Sequence, residues 1–156
     1  MKKRRIISVT VLNEHSVLSR ISGLFAGRGY NIESLTVAPM PNSELSRLTI
    51  ATCGDEKVFE QIVKQLHKLI PVLSVIEDGD LIEREMILAK ISIGESIGDI
   101  DALCKAYGGK IIHANEKYCL LSIIESPNRI DSFIAALRRF KPKEIIRSGS
   151  VAIEQH

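Results

Sequence analysis

Residues 12–37 read Leu-Asn-Glu-His-Ser-Val-Leu-Ser-Arg-Ile-Ser-Gly-Leu-Phe-Ala-Gly-Arg-Gly-Tyr-Asn-Ile-Glu-Ser-Leu-Thr-Val. The stretch leaves an alternating strand through a polar loop and enters an amphipathic helix. Val17, Leu18, Ile21, Leu24 and Phe25 mark that helix by their i, i+4, i+7 spacing. It ends in Gly-Arg-Gly-Tyr-Asn and re-emerges as a β-branched strand. The loop and the exit turn are expected at the same end of a compact sheet domain. Neither carries a nucleophile, a metal-ligand set or a phosphate loop, which suits holding a small ligand rather than transforming it.

Outward from this stretch the chain is one pattern written twice. Upstream, Arg5–Leu12 sets Ile7, Val9 and Val11 against Ser8 and Thr10, which is strand alternation. Downstream, Ile32–Ala38 stops at Pro39, Arg47–Cys53 is a further strand, and Val58, Ile62, Leu66 and Leu69 stripe a second helix ended by Pro71. Val72–Ile76 completes the first unit. The second unit repeats the order, with a strand at Glu85–Ile93 and a helix at Ile97–Tyr107 closed by Gly108 and Gly109. A hairpin of Lys110–Asn115 and Tyr118–Glu125, a helix striped by Ile130, Phe133, Ile134 and Leu137, and a strand at Glu144–Ile153 follow. A repeat of about 77 residues with matching element order predicts α+β architecture as two tandem ferredoxin-like βαββαβ units. Each would be an antiparallel four-stranded sheet with two helices on one face. The expected domains are 1–77 and 78–156, joined by the acidic, glycine-containing segment 77–83. The strand edges and the apolar positions of the open sheet faces predict a homodimer.

Composition narrows the function classes. The net charge is only +2, which gives no strong electrostatic case for nucleic acid or membrane. The basic run Lys2-Lys3-Arg4-Arg5 is expected as a solvated edge. Aromatics make up 4% of the chain and are absent from Arg5–Leu12 and Leu48–Cys53, so the base-stacking platform of an RNA-recognition module is missing. Cys53, Cys104 and Cys119 lack C-x-x-C spacing and read as small buried hydrophobes in a reducing compartment. His15, His67, His113 and His156 are scattered, with no metal-binding spacing and no base–nucleophile pair beyond the adjacent His15 and Ser16. A non-catalytic protein without its own cofactor or metal is expected, cytoplasmic and without a signal peptide.

The string Asn13-Glu14-x-x-Val17-Leu18, with Gly23-Leu24-Phe25, Arg28-Gly29-Tyr30-Asn31-Ile32 and Ser34-Leu35-Thr36-Val37, resembles the ACT domain of acetolactate synthase small subunits. Leu45-Ser46-Arg47-Leu48-Thr49-Ile50, Glu83-Arg84-Glu85, Gly109-Lys110-Ile111-Ile112 and Arg147-Ser148-Gly149 extend the resemblance over essentially the whole chain. It implies a regulatory subunit that binds and activates a large catalytic subunit carrying thiamine diphosphate, Mg²⁺ and FAD. It also implies feedback inhibition by valine, held between two ACT domains of a homodimer. Carried over by position, Asn13, His15, Ser16, Val17 and Leu18 of one chain and Asn31 and Ile32 of the other form that site. The free amides of a helix start suit the ligand carboxylate, and the asparagine oxygens suit its ammonium group. A stand-alone ACT-type sensor acting on another enzyme is the alternative.

Two residues depart from the family pattern. The family shows glycine where this chain has Ser16, and proline or serine at His15. Ser16 makes a good helix N-cap, and its hydroxyl would then occupy the place of the ligand carboxylate. If the backbone there needs positive φ, serine adds a strain of roughly 1–2 kcal/mol.

Overall fold

The computed structural model describes residues 3–77, 79, 81–94 and 96–156. Lys2 of the basic run, and Asp78 and Asp80 of the expected linker, lie outside the described residues. The chain divides into two compact units, Met1–Leu81 with Glu154–His156, and Ile82–Ile153. The division falls between Leu81 and Ile82 rather than after residue 77.

The first unit runs β1 (Lys3–Leu12), α1 (Val17–Ala26), β2 (Asn31–Pro39), β3 (Leu45–Gly54), α2 (Glu56–Lys68) and β4 (Val72–Glu77). Its strands are antiparallel neighbours in the order β2-β3-β1-β4. The period-2 pattern of β1 turns Ile7, Val9 and Val11 to one face, where Leu48 and Ile50 of β3 join them. Val17, Ile21 and Phe25 of α1 and Phe59, Ile62, Val63 and Leu66 of α2 close that face as a core. Asp55 starts α2 by accepting a 2.9 Å hydrogen bond from the Lys57 N–H.

The exit of α1 is locked by backbone bonds, including Tyr30 N–H to the Phe25 carbonyl at 2.9 Å, around a left-handed Gly29 at φ 63°. Tyr30 then lies against Phe25, and its hydroxyl donates to the Asp55 carbonyl at 3.3 Å. A side chain at Gly54 would overlap the Tyr30 ring, which is why β3 ends in glycine.

The second unit's elements are β5 (Leu81–Ser92), α3 (Ile97–Ala106), β6 (Lys110–Ala114), β7 (Tyr118–Glu125), α4 (Pro127–Leu137), a 3-10 turn at Arg138–Phe140, β8 (Glu144–Arg147) and β9 (Val151–Glu154). The sheet order is β6-β7-β5-β8, with β9 also paired to β5. Ile87, Ala89 and Ile91 of β5 pack with Leu121 and Ile123 of β7 beneath α3 and α4.

The single final strand expected at Glu144–Ile153 is in fact two, broken at residues 148–150. Side-chain bonds there join a remaining backbone bond from the Ser148 N–H to the Met86 carbonyl at 2.9 Å. The Ser148 hydroxyl accepts from the Met86 N–H at 2.9 Å and donates to the Gly149 carbonyl, while the Ser150 hydroxyl turns to Glu83 and Glu85. The basic run is also not wholly solvated. Arg5 makes a two-pronged ion pair with Glu56 at 2.7 and 2.8 Å and lies 4.3 Å over the Phe59 ring.

Candidate functional site

The loop after β1 is held by its backbone. Leu12 N–H donates to the Pro71 carbonyl and Asn13 N–H to the Glu44 carbonyl, both at 2.9 Å, and Glu14 N–H folds back on Leu12 at 2.8 Å. These bonds leave the side chains of Asn13, Glu14, His15 and Ser16 exposed. Beside them is a shallow depression lined by Leu12, Asn13, Glu14, Ser43 and Glu44. Ser16 has φ 77° and ψ −11°, the left-handed conformation. The conditional strain read from the sequence therefore applies. The N-cap expectation does not, because the Ser16 hydroxyl makes no capping bond. In the left-handed conformation it does not reach the amides at the start of α1, which stay without a side-chain partner.

Val17 and Leu18 point to opposite environments. Val17 is 4% exposed and belongs to the core, whereas Leu18 is 42% exposed beside the loop. The Val17 side chain is therefore taken up by the core. Asn31 opens β2 opposite Cys53, with its side chain exposed and its carbonyl accepting the Thr52 hydroxyl at 2.5 Å. It is not the left-handed residue of the turn; Gly29 is. Ile32 is half-buried against the core, and the β2–β3 register shifts between Ile32 and Ser34.

The two halves of the expected site do not meet within one chain. Leu12 is paired with Leu45, so the loop stands at that end of the sheet. Asn31 is paired with Cys53, and Cys53 with Arg4, at the other end. The expectation of a common end is corrected. From Arg4 to Leu12 the strand covers roughly 26 Å at about 3.3 Å per residue. A ten-residue helix carries its entry and exit turns to opposite ends.

A second polar cluster was not anticipated. In the second unit, Arg147 Nε donates to Glu85 at 2.6 Å and Nη1 to Asp131 at 2.6 Å. Glu85 is 5% exposed and also accepts from the Ser150 hydroxyl at 2.7 Å. Burial works against the Arg147 charge, but its bonds to Asp131 and Glu85 outweigh that and raise its pKa. The sequence signal was present only as Glu83-Arg84-Glu85 and Arg147-Ser148-Gly149, whose pairing across 62 residues no local pattern reveals. Among the described residues no helix is long and apolar enough to cross a membrane, and no group of three His, Cys, Asp or Glu side chains is placed to hold a metal.

Residues 7–74 match the family model of the AHAS small subunit-like ACT domain, and residues 84–156 that of the small subunit of acetolactate synthase. The acetolactate synthase isozyme 3 small subunit of Salmonella typhimurium is 46% identical, covering 97% of this chain and 96% of that protein. Its Escherichia coli counterpart is 45% identical with the same coverage. The crystal structure of the acetolactate synthase small subunit from Thermotoga maritima matches with a TM-score of 0.88 at 35% identity, covering 99% of this chain and 98% of that one. The chain belongs to the acetolactate synthase small-subunit family.

Proposed function

We propose that this chain is the non-catalytic regulatory subunit of acetolactate synthase, activating a large catalytic subunit and transmitting inhibition by valine from a site shared by two copies. The observation that carries the reading is the separation of the first loop and Asn31 to opposite ends of one sheet. β2 is an edge strand, open to pairing on one side. A two-fold pairing of β2 edges runs the strands antiparallel, so the Asn31 end of one lies beside the Pro39 end of the other. Pro39 is paired with Ser46, and Leu45 with Leu12, so that end carries the first loop. The same operation forms two equivalent sites.

At each, the open amides of α1 would receive the valine carboxylate. Asn13, Asn31 and the nearby Glu14 and Glu44 would suit its ammonium group, and Leu18 its branched side chain. His15 flanks the carboxylate side of the loop. Thiamine diphosphate, Mg²⁺ and FAD would reside on the catalytic subunit.

The test is a mixing assay. Adding this chain to purified acetolactate synthase large subunit raises its turnover, and valine then lowers it. Absence of both binding and stimulation would overturn the reading and favour a sensor acting on another enzyme.

A further inference from the structure

The helix side of the first unit carries a depression lined by Arg28, Gln61, Lys64, Gln65 and Lys68. The four α2 residues share the side of that helix opposite its buried Phe59, Ile62, Val63 and Leu66. Arg28 joins them from the exit turn of α1. No carboxylate lines the depression. Among the described residues none of its three cations makes an ion pair. Lys64 and Lys68, one turn apart, repel one another along α2. The Arg28 guanidinium makes a single long bond within the chain, from Nη1 to the Leu24 carbonyl at 3.4 Å, and is exposed. A planar fork, two ammonium groups and two side-chain amides, with no negative charge among them, suit carboxylates.

We infer that this depression docks an acidic segment of the catalytic subunit, an inference that rests on the regulatory reading above. Charge selects the chemistry of the occupant, and position in the fold selects the partner. Arg28 stands three residues before Asn31, on the turn that by that reading holds valine against the neighbouring copy's first loop. The turn is tied by backbone bonds from the Gly29 N–H to the Ala26 carbonyl at 3.1 Å and from the Tyr30 N–H to the Phe25 carbonyl at 2.9 Å. A displacement of Asn31 is therefore passed to Arg28. Valine can lower activation only by binding differently in two states of the complex. Here valine and the docked segment bear on one hydrogen-bonded turn. The two-fold axis of the β2 pairing crosses the joined sheet, which keeps α1 and α2 of both copies on one side. Two depressions then face the catalytic assembly together, and each strengthens the hold of the other.

The experiment measures binding of purified acetolactate synthase large subunit to the full chain by surface plasmon resonance over a range of salt. Native protein is compared with the double variant Lys64→Glu, Lys68→Glu. Both positions are exposed, so the core beneath α2 is untouched, and a circular-dichroism melt checks folding. The neutral pair Lys64→Gln with Lys68→Gln covers loss of folding in the first. The pair Lys110→Glu with Lys117→Glu makes the same change of net charge on the second unit. The expected result is a rise of about tenfold in the dissociation constant for the reversed pair, chiefly through slower association, with a flatter salt dependence. The neutral pair shows a smaller rise, and the second-unit pair little. Unchanged binding in the reversed and neutral pairs overturns the inference while leaving the regulatory reading in place. Equal loss in the second-unit pair also overturns it, because net charge alone then accounts for the effect. Calorimetry with inorganic tripolyphosphate separates the remaining occupant. Binding of that anion to native chain, lost in a reversed pair that still holds the large subunit, gives the depression to a phosphate ligand instead. Failure of the native chain itself to bind the large subunit removes the regulatory reading and this inference with it.

Discussion

Ser16 is strained where a glycine would not be. Its φ of 77° costs an L-residue roughly 1–2 kcal/mol, while glycine gives back about 0.5–1 kcal/mol through the freer unfolded chain. The difference makes Ser16→Gly stabilising by about 0.5–1 kcal/mol, visible as a higher melting temperature. Under the proposed function the same change removes a side chain from the mouth of the ligand site, so calorimetry should record tighter valine binding. Unchanged or weaker affinity contradicts the steric argument. Arg147 shows the opposite case, a residue whose removal leaves something behind. Arg147→Ala takes the guanidinium from the buried Glu85 carboxylate, which keeps the Ser150 hydroxyl, and should cost about 2 kcal/mol in denaturant unfolding, whereas the exposed Asp131 adds little. Pairing it with Glu85→Gln should recover a large part, a non-additivity that marks direct coupling. Ser16 could be flagged from the sequence as a departure, but not its φ, because nothing in a serine announces a left-handed backbone. Arg147 could not be flagged, because its partner lies 62 residues away.

Helices and strands follow local pattern closely, and the exceptions are places where side chains bond to the backbone or to buried charges. The stripe Ile130, Phe133 and Leu137 locates α4, and its start is held by more than Pro127. The Glu125 carboxylate accepts from the Ser126 N–H at 3.0 Å and pairs with Arg129 at 3.1 Å. That backbone bond, aided by Arg129, holds Glu125 below the ordinary glutamate range. A carboxylate depressed on folding contributes stability above its unfolded pKa and loses it as pH falls through the folded one. Amide exchange at the first turn of α4 should therefore accelerate only below the ordinary glutamate range, and Glu125→Gln should remove that pH dependence. A dependence centred near neutrality would place the control elsewhere. The break between β8 and β9 has the same origin. Glu144–Ile153 reads as one strand, but the Ser148 and Ser150 hydroxyls bond to Met86 and Glu85.

For the whole molecule, the two units each have their own core, and the first cannot complete the proposed ligand site alone. If valine binds across two copies and alters activation, linkage requires the effect to run both ways. Saturating catalytic subunit should change valine affinity by the same factor as valine changes subunit affinity, typically 5–150-fold for a coupling of about 1–3 kcal/mol. Titration calorimetry in both orders measures this, and unequal factors at equilibrium exclude a two-site coupling of that kind. The sequence by itself determined the α+β class, the duplicated element order and the family, because periodicity and turn residues act over ten residues or fewer. Tertiary structure alone decided three things. It put the first loop and Asn31 at opposite ends of a sheet, since strand register converts chain neighbours into distant points. It sent Val17 into the core and Leu18 outward, since consecutive helix residues lie about 100° apart and so face different sides. It joined Glu85 to Arg147, since a buried charge takes its partner from whichever strand the fold brings beside it.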